Sequence, residues 1–181
     1  MLTAAGVPVE ARASGVDEEA LKAALADRVA RDLADALAEA KALKVSSVAP
    51  DRLVLGGDSV ASVDGRLFDK PVDRADAARH LRAFSGRTLR LTSAAVLAEG
   101  SRAVWRHVDT ADLTVRPLSE AFIAGYLDAE WPAVSACVGC FRVEGRGVQL
   151  FERMRGDHFT ILGLPLLALL AQLRRLGVMA S

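Results

Sequence analysis

Hydrophobic residues recur at helical spacing in the early part of the chain. Within residues 18–45 they fall near every third or fourth position, a period typical of amphipathic helices. The period is interrupted near residues 27–31, so two consecutive helices are expected. Asp17 is the predicted N-cap of the first. Glu18 and Glu19 follow in the first turn, where negative charge suits the helix dipole.

Short apolar runs bounded by glycine predict strands in the middle of the chain. Residues 53–55 form a predicted buried strand that Gly56 and Gly57 end. Residues 88–97 and 104–115 are longer extended runs with a turn between them, and they are expected to pair as a hairpin. At least one pair of strands is therefore expected to be antiparallel.

Turn and cap residues divide the rest of the chain into further elements. Asp64-Gly65 is a hairpin-turn signal. Asp73 and Ser119 are predicted N-caps of two helices, and the apolar spacing of residues 166–176 predicts a final helix. Helices and strands are thus mixed. This pattern indicates the α/β class, with a mixed sheet flanked by helices rather than a strict Rossmann fold.

Length, composition and charge narrow the class of protein. The 181 residues suit one domain, and 51% of them are hydrophobic, which is enough for a packed core. Lysine plus arginine and aspartate plus glutamate each total 23, so there is no electrostatic case for nucleic-acid binding. No apolar run reaches the roughly 18 residues of a membrane helix. With no signal-peptide pattern and only two cysteines, the cytoplasm is the expected compartment.

Asp58 is the residue most suggestive of chemistry. It follows the predicted strand and its two glycines, so a rigid element would hold a carboxylate where a ligand can approach. This placement suits a general base or a metal ligand, and an ordinary turn aspartate is the alternative. The chain has neither a G-x-G-x-x-G after a strand nor a G-x-x-x-x-G-K-[ST] segment, which excludes the common dinucleotide and P-loop sites.

Three further charged side chains are weaker candidates. Lys70 precedes Pro71, which restricts it to an extended geometry from which it could offset the charge of a phosphate. Glu18 and Lys41 occupy predicted helices, where either could simply face solvent. A structural role therefore stays open for all three.

Cys137, Cys140 and Glu144 lie in one glycine-punctuated segment. The cysteines have C-x-x-C spacing, but zinc needs about four ligands and no second pair exists. A redox pair would open a helix after a strand, and the following residues do not predict one. Packing is the favoured interpretation of the cysteines. Glu144 could accept hydrogen bonds from a ligand such as a guanine edge, or it could pair with a neighbouring arginine.

Eight short segments together carry a family resemblance. They are Val16-Asp-Glu18, Ala38-Glu-Ala-Lys-Ala42, Leu55-Gly-Gly-Asp-Ser-Val60, Asp69-Lys-Pro71, residues 81–86, residues 137–147, residues 151–157 and Gly163-Leu-Pro-Leu166. Each is weakly specific alone. In this order they cover nearly the whole chain and resemble the Maf family of nucleoside-triphosphate pyrophosphatases. The resemblance implies one Maf-like domain over residues 1–181, with a mixed sheet in two lobes around a nucleotide cleft.

The resemblance also implies an activity and its residues. The family hydrolyses a nucleoside triphosphate to the monophosphate and pyrophosphate, as housecleaning of non-canonical or modified nucleotides. Asp58 would be the general base that activates water, and Lys41 and Lys70 would neutralise the phosphates. Glu18 and Asp58 would hold a divalent cation, Mg²⁺ or Mn²⁺. A homodimer is expected on the same ground.

Two positions bear on the preferred base. The family commonly has glutamine where this chain has Glu144, and the surrounding segment is similar to the branch that acts on 7-methyl-GTP. Glu144 is therefore a candidate base-reading residue. That branch usually has glutamine after the catalytic aspartate and the pyrimidine branch has threonine, whereas this chain has Ser59. The expected substrate is a modified or non-canonical nucleoside triphosphate, with 7-methyl-GTP as one candidate.

Two other functional classes stay open. One is a catalytically impaired nucleotide-binding protein with a division-related regulatory role, which would bind a nucleotide without releasing pyrophosphate. The other is a redox or metal protein built on the two cysteines.

The start of the chain departs from the family pattern. Met1-Leu-Thr-Ala-Ala-Gly6 matches the region just after the family's first strand and its Ser-x-Ser-Pro-x-Arg phosphate loop, and neither has a counterpart in this sequence. A missing central strand would leave backbone groups unpaired. We therefore expect a chain extended upstream to show a higher melting temperature and faster turnover. Equal values for the two chains would contradict this expectation.

Overall fold

Helices and strands are interspersed along residues 1–180, which the computed structural model describes. In chain order the elements are α1 (Glu18–Ala24), α2 (Ala30–Ser46), β1 (Val54–Val63), β2 (Arg66–Phe68), α3 (Arg74–Phe84), β3 (Thr88–Glu99), β4 (Arg102–Val115), α4 (Glu120–Glu130), β5 (Phe151–Arg155), α5 (His158–Ile161) and α6 (Leu166–Arg175). Short 3-10 turns lie at Thr3–Ala5, Ala133–Ala136 and Arg146–Leu150. None of the helices within residues 1–180 is both long enough and apolar enough to cross a bilayer.

The strands form one open sheet in the order β2-β1-β3-β4-β5. The predicted α/β class is confirmed, but the sheet is antiparallel where a mixed sheet was expected. The cause is the β1–β2 hairpin, in which Ala61 faces Phe68. This hairpin reverses the chain once before α3 begins. β3 therefore returns antiparallel to β1, whereas a helix directly after β1 would have made the pair parallel.

The described chain divides into two compact units. Unit 1 contains Met1–Asp58, Ser93–Asp109 and the chain from Gly163 onward, and unit 2 contains Ser59–Thr92 and Thr110–Leu162. Each unit has its own buried apolar residues. In unit 1 they include Leu33, Leu37, Val96, Leu97, Leu164 and Leu169, and in unit 2 they include Leu81, Phe84, Leu89, Leu113, Ile123 and Leu127.

The two helices predicted within residues 18–45 are confirmed as α1 and α2. The Asp17 side chain caps α1 by accepting a hydrogen bond from the backbone N–H of Ala20 at 3.0 Å. α1 ends at Ala24, and α2 begins at Ala30. Burying Leu33 and Leu37 holds α2 in place, because most of the stability of a helix in a protein comes from packing its apolar face.

Strand β1 differs from its prediction because it continues through Gly56 and Gly57 to Val63. Both glycines lie inside the strand instead of ending it. The turn that follows was predicted correctly: Asp64 and Gly65 have positive φ angles of 50° and 82°. Two consecutive positive φ values are what a type I′ turn of a two-residue hairpin requires.

Strand β5 and helix α5 had no clear sequence signal. β5 is mostly exposed and lies at the edge of the sheet, so it lacks an alternating apolar pattern. α5 has four residues, and its N-cap Asp157 accepts hydrogen bonds from the backbone N–H groups of Phe159 and Thr160. An element this short is stabilised by its cap and surroundings more than by periodicity.

Gly56 allows the backbone of α2 to lie directly against β1. A Cβ atom placed on Gly56 would be 2.2 Å from the carbonyl oxygen of Ala38 and 2.6 Å from the backbone nitrogen of Ala42. Only hydrogen fits there, and the two facing helix residues are themselves alanines, both fully buried. The close approach therefore depends on three small residues, two on the helix and one on the strand.

Arg106 of β4 holds the same helix from a second side. Its guanidinium donates to Asp35 at 2.6 Å and to Glu39 at 2.7 Å. These acceptors are four residues apart on α2, so they share one face of the helix. The hydrogen bonds to Asp35 and Glu39 raise the pKa of Arg106. Together with the Gly56 contact, they fix the rotation of α2 about its axis.

The close contact at Gly56 predicts that alanine substitutions at Gly56 and Gly57 change the stability of the protein by different amounts. Gly56→Ala is expected to destabilise the protein by about 3 kcal/mol, because the new methyl group meets helix backbone that cannot swing away. Gly57→Ala is the matched control, since its Cβ would lie 3.5 Å from the nearest atom, an ordinary contact. Urea unfolding of the three proteins measures both changes. Equal midpoints for Gly56→Ala and the unmodified protein would contradict the contact.

Candidate active site

Asp58 lies on β1, two residues after Gly56, so its side chain points to the same face of the strand as Gly56. That face carries α2. Lys41 follows Ala38 by three residues on the helix, close to one turn further along. The glycine contact therefore brings a strand carboxylate and a helix ammonium to the same place.

Lys41 joins two carboxylates. Its Nζ atom lies 2.5 Å from Asp58 Oδ1 and 2.9 Å from Glu18 Oε1. Asp58 and Lys41 are well shielded, with side-chain exposures of 12% and 19%. Glu18 comes from α1, so three separate elements meet at one ammonium group. The structure thus brings together three of the six residues singled out in the sequence.

Burial and ion pairing shift the pKa values of Asp58 and Lys41 in opposite directions. Burial raises the pKa of Asp58, and the hydrogen bond from Lys41 only partly offsets that rise. Burial by itself would lower the pKa of Lys41, but hydrogen bonds to Asp58 and Glu18 outweigh it, and the pKa is raised. The lysine is thus held protonated, while the carboxyl is a stronger proton acceptor than an ordinary aspartate.

Lys22 adds a second positive charge that the sequence argument did not single out. It lies four residues after Glu18 on α1, which places the two side chains on one face of the helix. Its charge acts on Asp58 by lowering the pKa of that carboxyl, a smaller effect than burial, which raises it. The signal available in the sequence was the i, i+4 spacing from Glu18.

The other three predicted residues lie in unit 2. Ser59 is the next residue of β1 after Asp58 and is half-buried. Lys70 is exposed in the loop after β2, ahead of the buried Pro71. Glu144 is exposed in the loop that precedes the 3-10 turn Arg146–Leu150.

Lys70 and Glu144 share a neighbour, the Cys137 thiol. Burial raises the pKa of Cys137, the charge of Glu144 raises it further, and Arg142 and Lys70 lower it. These charges lie close enough to Cys137 to act on its titration. All four residues belong to unit 2.

The geometry of the cysteine pair supports packing over redox chemistry. Cys140 is fully buried, and its Sγ atom lies 3.5 Å from Nδ1 of His80. Burial raises the pKa of the Cys140 thiol to about 12, and the charge of Asp76 adds to the rise. A reactive cysteine needs a depressed pKa, so these thiols are in the opposite environment.

The two carboxylates around Lys41 are the ligand type that hard divalent cations prefer. Within residues 1–180 no three histidine, cysteine, aspartate or glutamate side chains are placed to form a metal centre by themselves. Glu18 and Asp58 provide two carboxylates that share the Lys41 ammonium. Mg²⁺ is commonly bound by one or two carboxylates, with substrate phosphates and waters completing its shell.

Comparison with known proteins identifies relatives along nearly the whole chain. A family model described as Maf-like protein matches residues 1–176. A 7-methyl-GTP pyrophosphatase of Rhizobium meliloti (strain 1021) is 49% identical over 179 residues, covering 98% of this chain and 90% of the relative. A nucleoside triphosphate pyrophosphatase of Sphingopyxis alaskensis is 48% identical over 181 residues, covering 98% of this chain and 91% of the relative. The resemblance drawn from the eight segments is confirmed.

The raised thiol pKa values predict slow alkylation of the folded protein. At about pH 8 a thiol with a pKa near 12 is ionised in roughly one molecule in ten thousand. Cys140 is therefore expected to resist iodoacetamide, and Cys137 to react more slowly than a free cysteine. Mass spectrometry of the labelled protein, with the urea-unfolded chain as control, measures both rates. Labelling of folded Cys140 at the unfolded rate would contradict the prediction.

Proposed function

Because this chain belongs to the Maf-like protein family, we propose that it is a nucleoside-triphosphate pyrophosphatase, a hydrolase of acid anhydrides. The observation that carries the proposal is the buried contact of Asp58 with Lys41 and Glu18. It provides a carboxylate with enhanced basicity next to a fixed positive charge. Relatives at this level of identity bear pyrophosphatase names.

Asp58 is the proposed general base. A water molecule attacks the α-phosphorus, the bridging P–O bond to the β-phosphate breaks, and pyrophosphate leaves with that electron pair. Asp58 accepts the proton that the attacking water loses. The rise in the pKa of Asp58 through burial favours this acceptance.

Lys41 is proposed to serve both the base and the substrate. A lysine ammonium has three N–H donors, and the two carboxylates account for two of them. The third can donate to a phosphate oxygen and offset charge that develops during displacement. Lys70, exposed in unit 2, is the second lysine proposed to bind phosphate.

Glu18 and Asp58 are the residues proposed to hold a divalent cation, Mg²⁺ or Mn²⁺. When bound, such an ion offsets phosphate charge. The remaining contribution comes from the chain itself, which holds the two carboxylates side by side through Lys41.

Glu144 is proposed to read the base of a guanine-type nucleotide. A carboxylate can accept from both the ring N–H and the amino group of guanine. Two relatives named 7-methyl-GTP pyrophosphatase are 49% and 50% identical to this chain, so 7-methyl-GTP is the substrate to test first. The part played by Ser59 stays a prediction, as does a homodimer. Such substrates belong to the cytoplasmic nucleotide pool, which is the compartment that the proposal implies.

The decisive test is pyrophosphate release from canonical and 7-methylated nucleoside triphosphates, with Mg²⁺ or Mn²⁺ supplied. Asp58→Asn is expected to lower kcat by about 10²- to 10⁴-fold, because it removes the proton acceptor while keeping the shape of the side chain. Asp51→Asn is the matched control, since Asp51 is an exposed aspartate just before β1. It should leave turnover unchanged.

Two outcomes would count against the proposal. Equal turnover of Asp58→Asn and the unmodified protein would remove Asp58 from catalysis. Nucleotide binding without any pyrophosphate release would instead favour the alternative of a binding protein that regulates division.

A further inference from the structure

The loop that carries Glu144 is tied to helix α4 at two points. The hydroxyl of Tyr126 donates a hydrogen bond to the carbonyl oxygen of Cys140 at 3.0 Å. One turn further along α4, Glu130 Oε2 accepts a hydrogen bond from Nη2 of Arg142 at 2.8 Å. Tyr126 and Glu130 are four residues apart, so one face of α4 holds both ends of the segment 140–142.

Both anchoring side chains are buried, which makes their contacts strong constraints. Tyr126 and Glu130 retain 4% and 6% of their exposure. A buried carboxylate is costly unless it is paired, and Arg142 supplies the pair from a partly exposed position. If Arg142 moved away, the Glu130 carboxylate would be buried without a counter-charge. The loop that carries Arg142 is therefore held in one favoured position against α4.

The constraint extends from Arg142 to the residues beside Glu144. The backbone N–H of Gly145 donates to the carbonyl oxygen of Arg142 at 3.1 Å. A Cβ on Gly147 would lie 2.5 Å from that same carbonyl oxygen. Gly147 therefore packs closely on the Arg142 backbone and Gly145 is hydrogen-bonded to it, so both turn residues are tied to the position of Arg142.

The carboxylate of Glu130 also lies next to the Gly145 end of this turn. A Cβ on Gly145 would be 3.9 Å from Glu130 Oε2 and 4.0 Å from Oε1. The buried carboxylate of Glu130 thus lies near the turn backbone at Gly145 and also binds the Arg142 side chain. The exposed side chain of Glu144 is carried by this supported backbone.

We propose that Glu130, assisted by Tyr126, is a positioning residue for base selection: it fixes the Arg142 turn and thereby sets where Glu144 meets the nucleobase. This inference rests on the proposed function, because it assigns Glu144 a base to read. Glu130 acts through the loop and touches neither the phosphates nor the base. Its removal should therefore change substrate preference more than turnover.

The test compares 7-methyl-GTP with 7-methyl-ITP, which differ only in the 2-amino group of the base. The unmodified protein is expected to prefer 7-methyl-GTP, and Glu144→Ala is expected to abolish the preference. Glu130→Gln should reduce the ratio of the two kcat/KM values about tenfold, chiefly through KM for 7-methyl-GTP, since a misplaced acceptor loses its hydrogen bond. In the Glu130→Gln/Glu144→Ala double variant, Glu130→Gln should have no further effect on the ratio.

Two additional variants separate positioning from general destabilisation. Glu120→Gln removes a surface ion pair of the same helix, in which Glu120 lies 2.8 Å from Arg82, and it should leave the ratio unchanged. Tyr126→Phe removes only the hydroxyl that holds Cys140, so it should lower the ratio in the same direction as Glu130→Gln. Tyr126→Phe decides the question if Glu130→Gln does not fold.

The outcomes distinguish this inference from the proposed function. If the protein hydrolyses 7-methyl-GTP but folded Glu130→Gln or Tyr126→Phe keeps the original ratio, the positioning role is overturned and the pyrophosphatase proposal stands. Full preference retained by Glu144→Ala would also overturn it, because Glu144 would then not read the base. If the unmodified protein releases no pyrophosphate from either 7-methylated nucleotide, the base reading assigned to Glu144 fails and the inference fails with it. The proposed function itself fails only if canonical nucleoside triphosphates are not hydrolysed either.

Discussion

The backbone of α2 lies against β1 at Gly56, and the contact between Asp58 and Lys41 depends on that close approach. A helix and a strand normally keep the distance that their side chains impose. Here Gly56, Ala38 and Ala42 leave almost no side-chain volume between them. Asp58 lies two residues after Gly56 on β1 and Lys41 lies between Ala38 and Ala42 on α2, so their side chains meet at 2.5 Å. A larger residue at position 56 would push α2 away from β1 and thereby separate Asp58 from Lys41.

In the group formed by Lys41, Asp58 and Glu18, ion pairing offsets the free energy that burial of the charges costs. Withdrawing Asp58 from water raises its pKa, and the ammonium of Lys41 keeps the carboxylate form accessible. Glu18 supplies a second negative charge from α1, which stabilises the protonated lysine.

In unit 2, side chains of a helix hold the backbone of an irregular loop, residues 137–147. This segment has little regular structure, and Cys140 has a positive φ of 55° although it is not glycine. Such a conformation persists only when its surroundings hold it. Tyr126 and Glu130 provide that support from one face of α4, a regular helix. The cysteines contribute buried volume there, and their raised pKa values argue against the redox interpretation of C-x-x-C.

The sequence by itself determined the helices with a clear period, the turn that needs positive φ, and Asp58 as a candidate, whereas Glu18 and Lys41 were raised to candidates only by the family resemblance. The helices, the turn and Asp58 depend on local spacing and on residue type, which a single chain displays directly. Tertiary structure alone decided that β1 continues through Gly56 and Gly57, since a glycine that ends a strand and one that admits a neighbouring helix look alike in sequence. It also decided that the sheet is antiparallel. The sequence likewise did not single out Glu130, because its burial and its pairing with Arg142 arise only when the chain is packed.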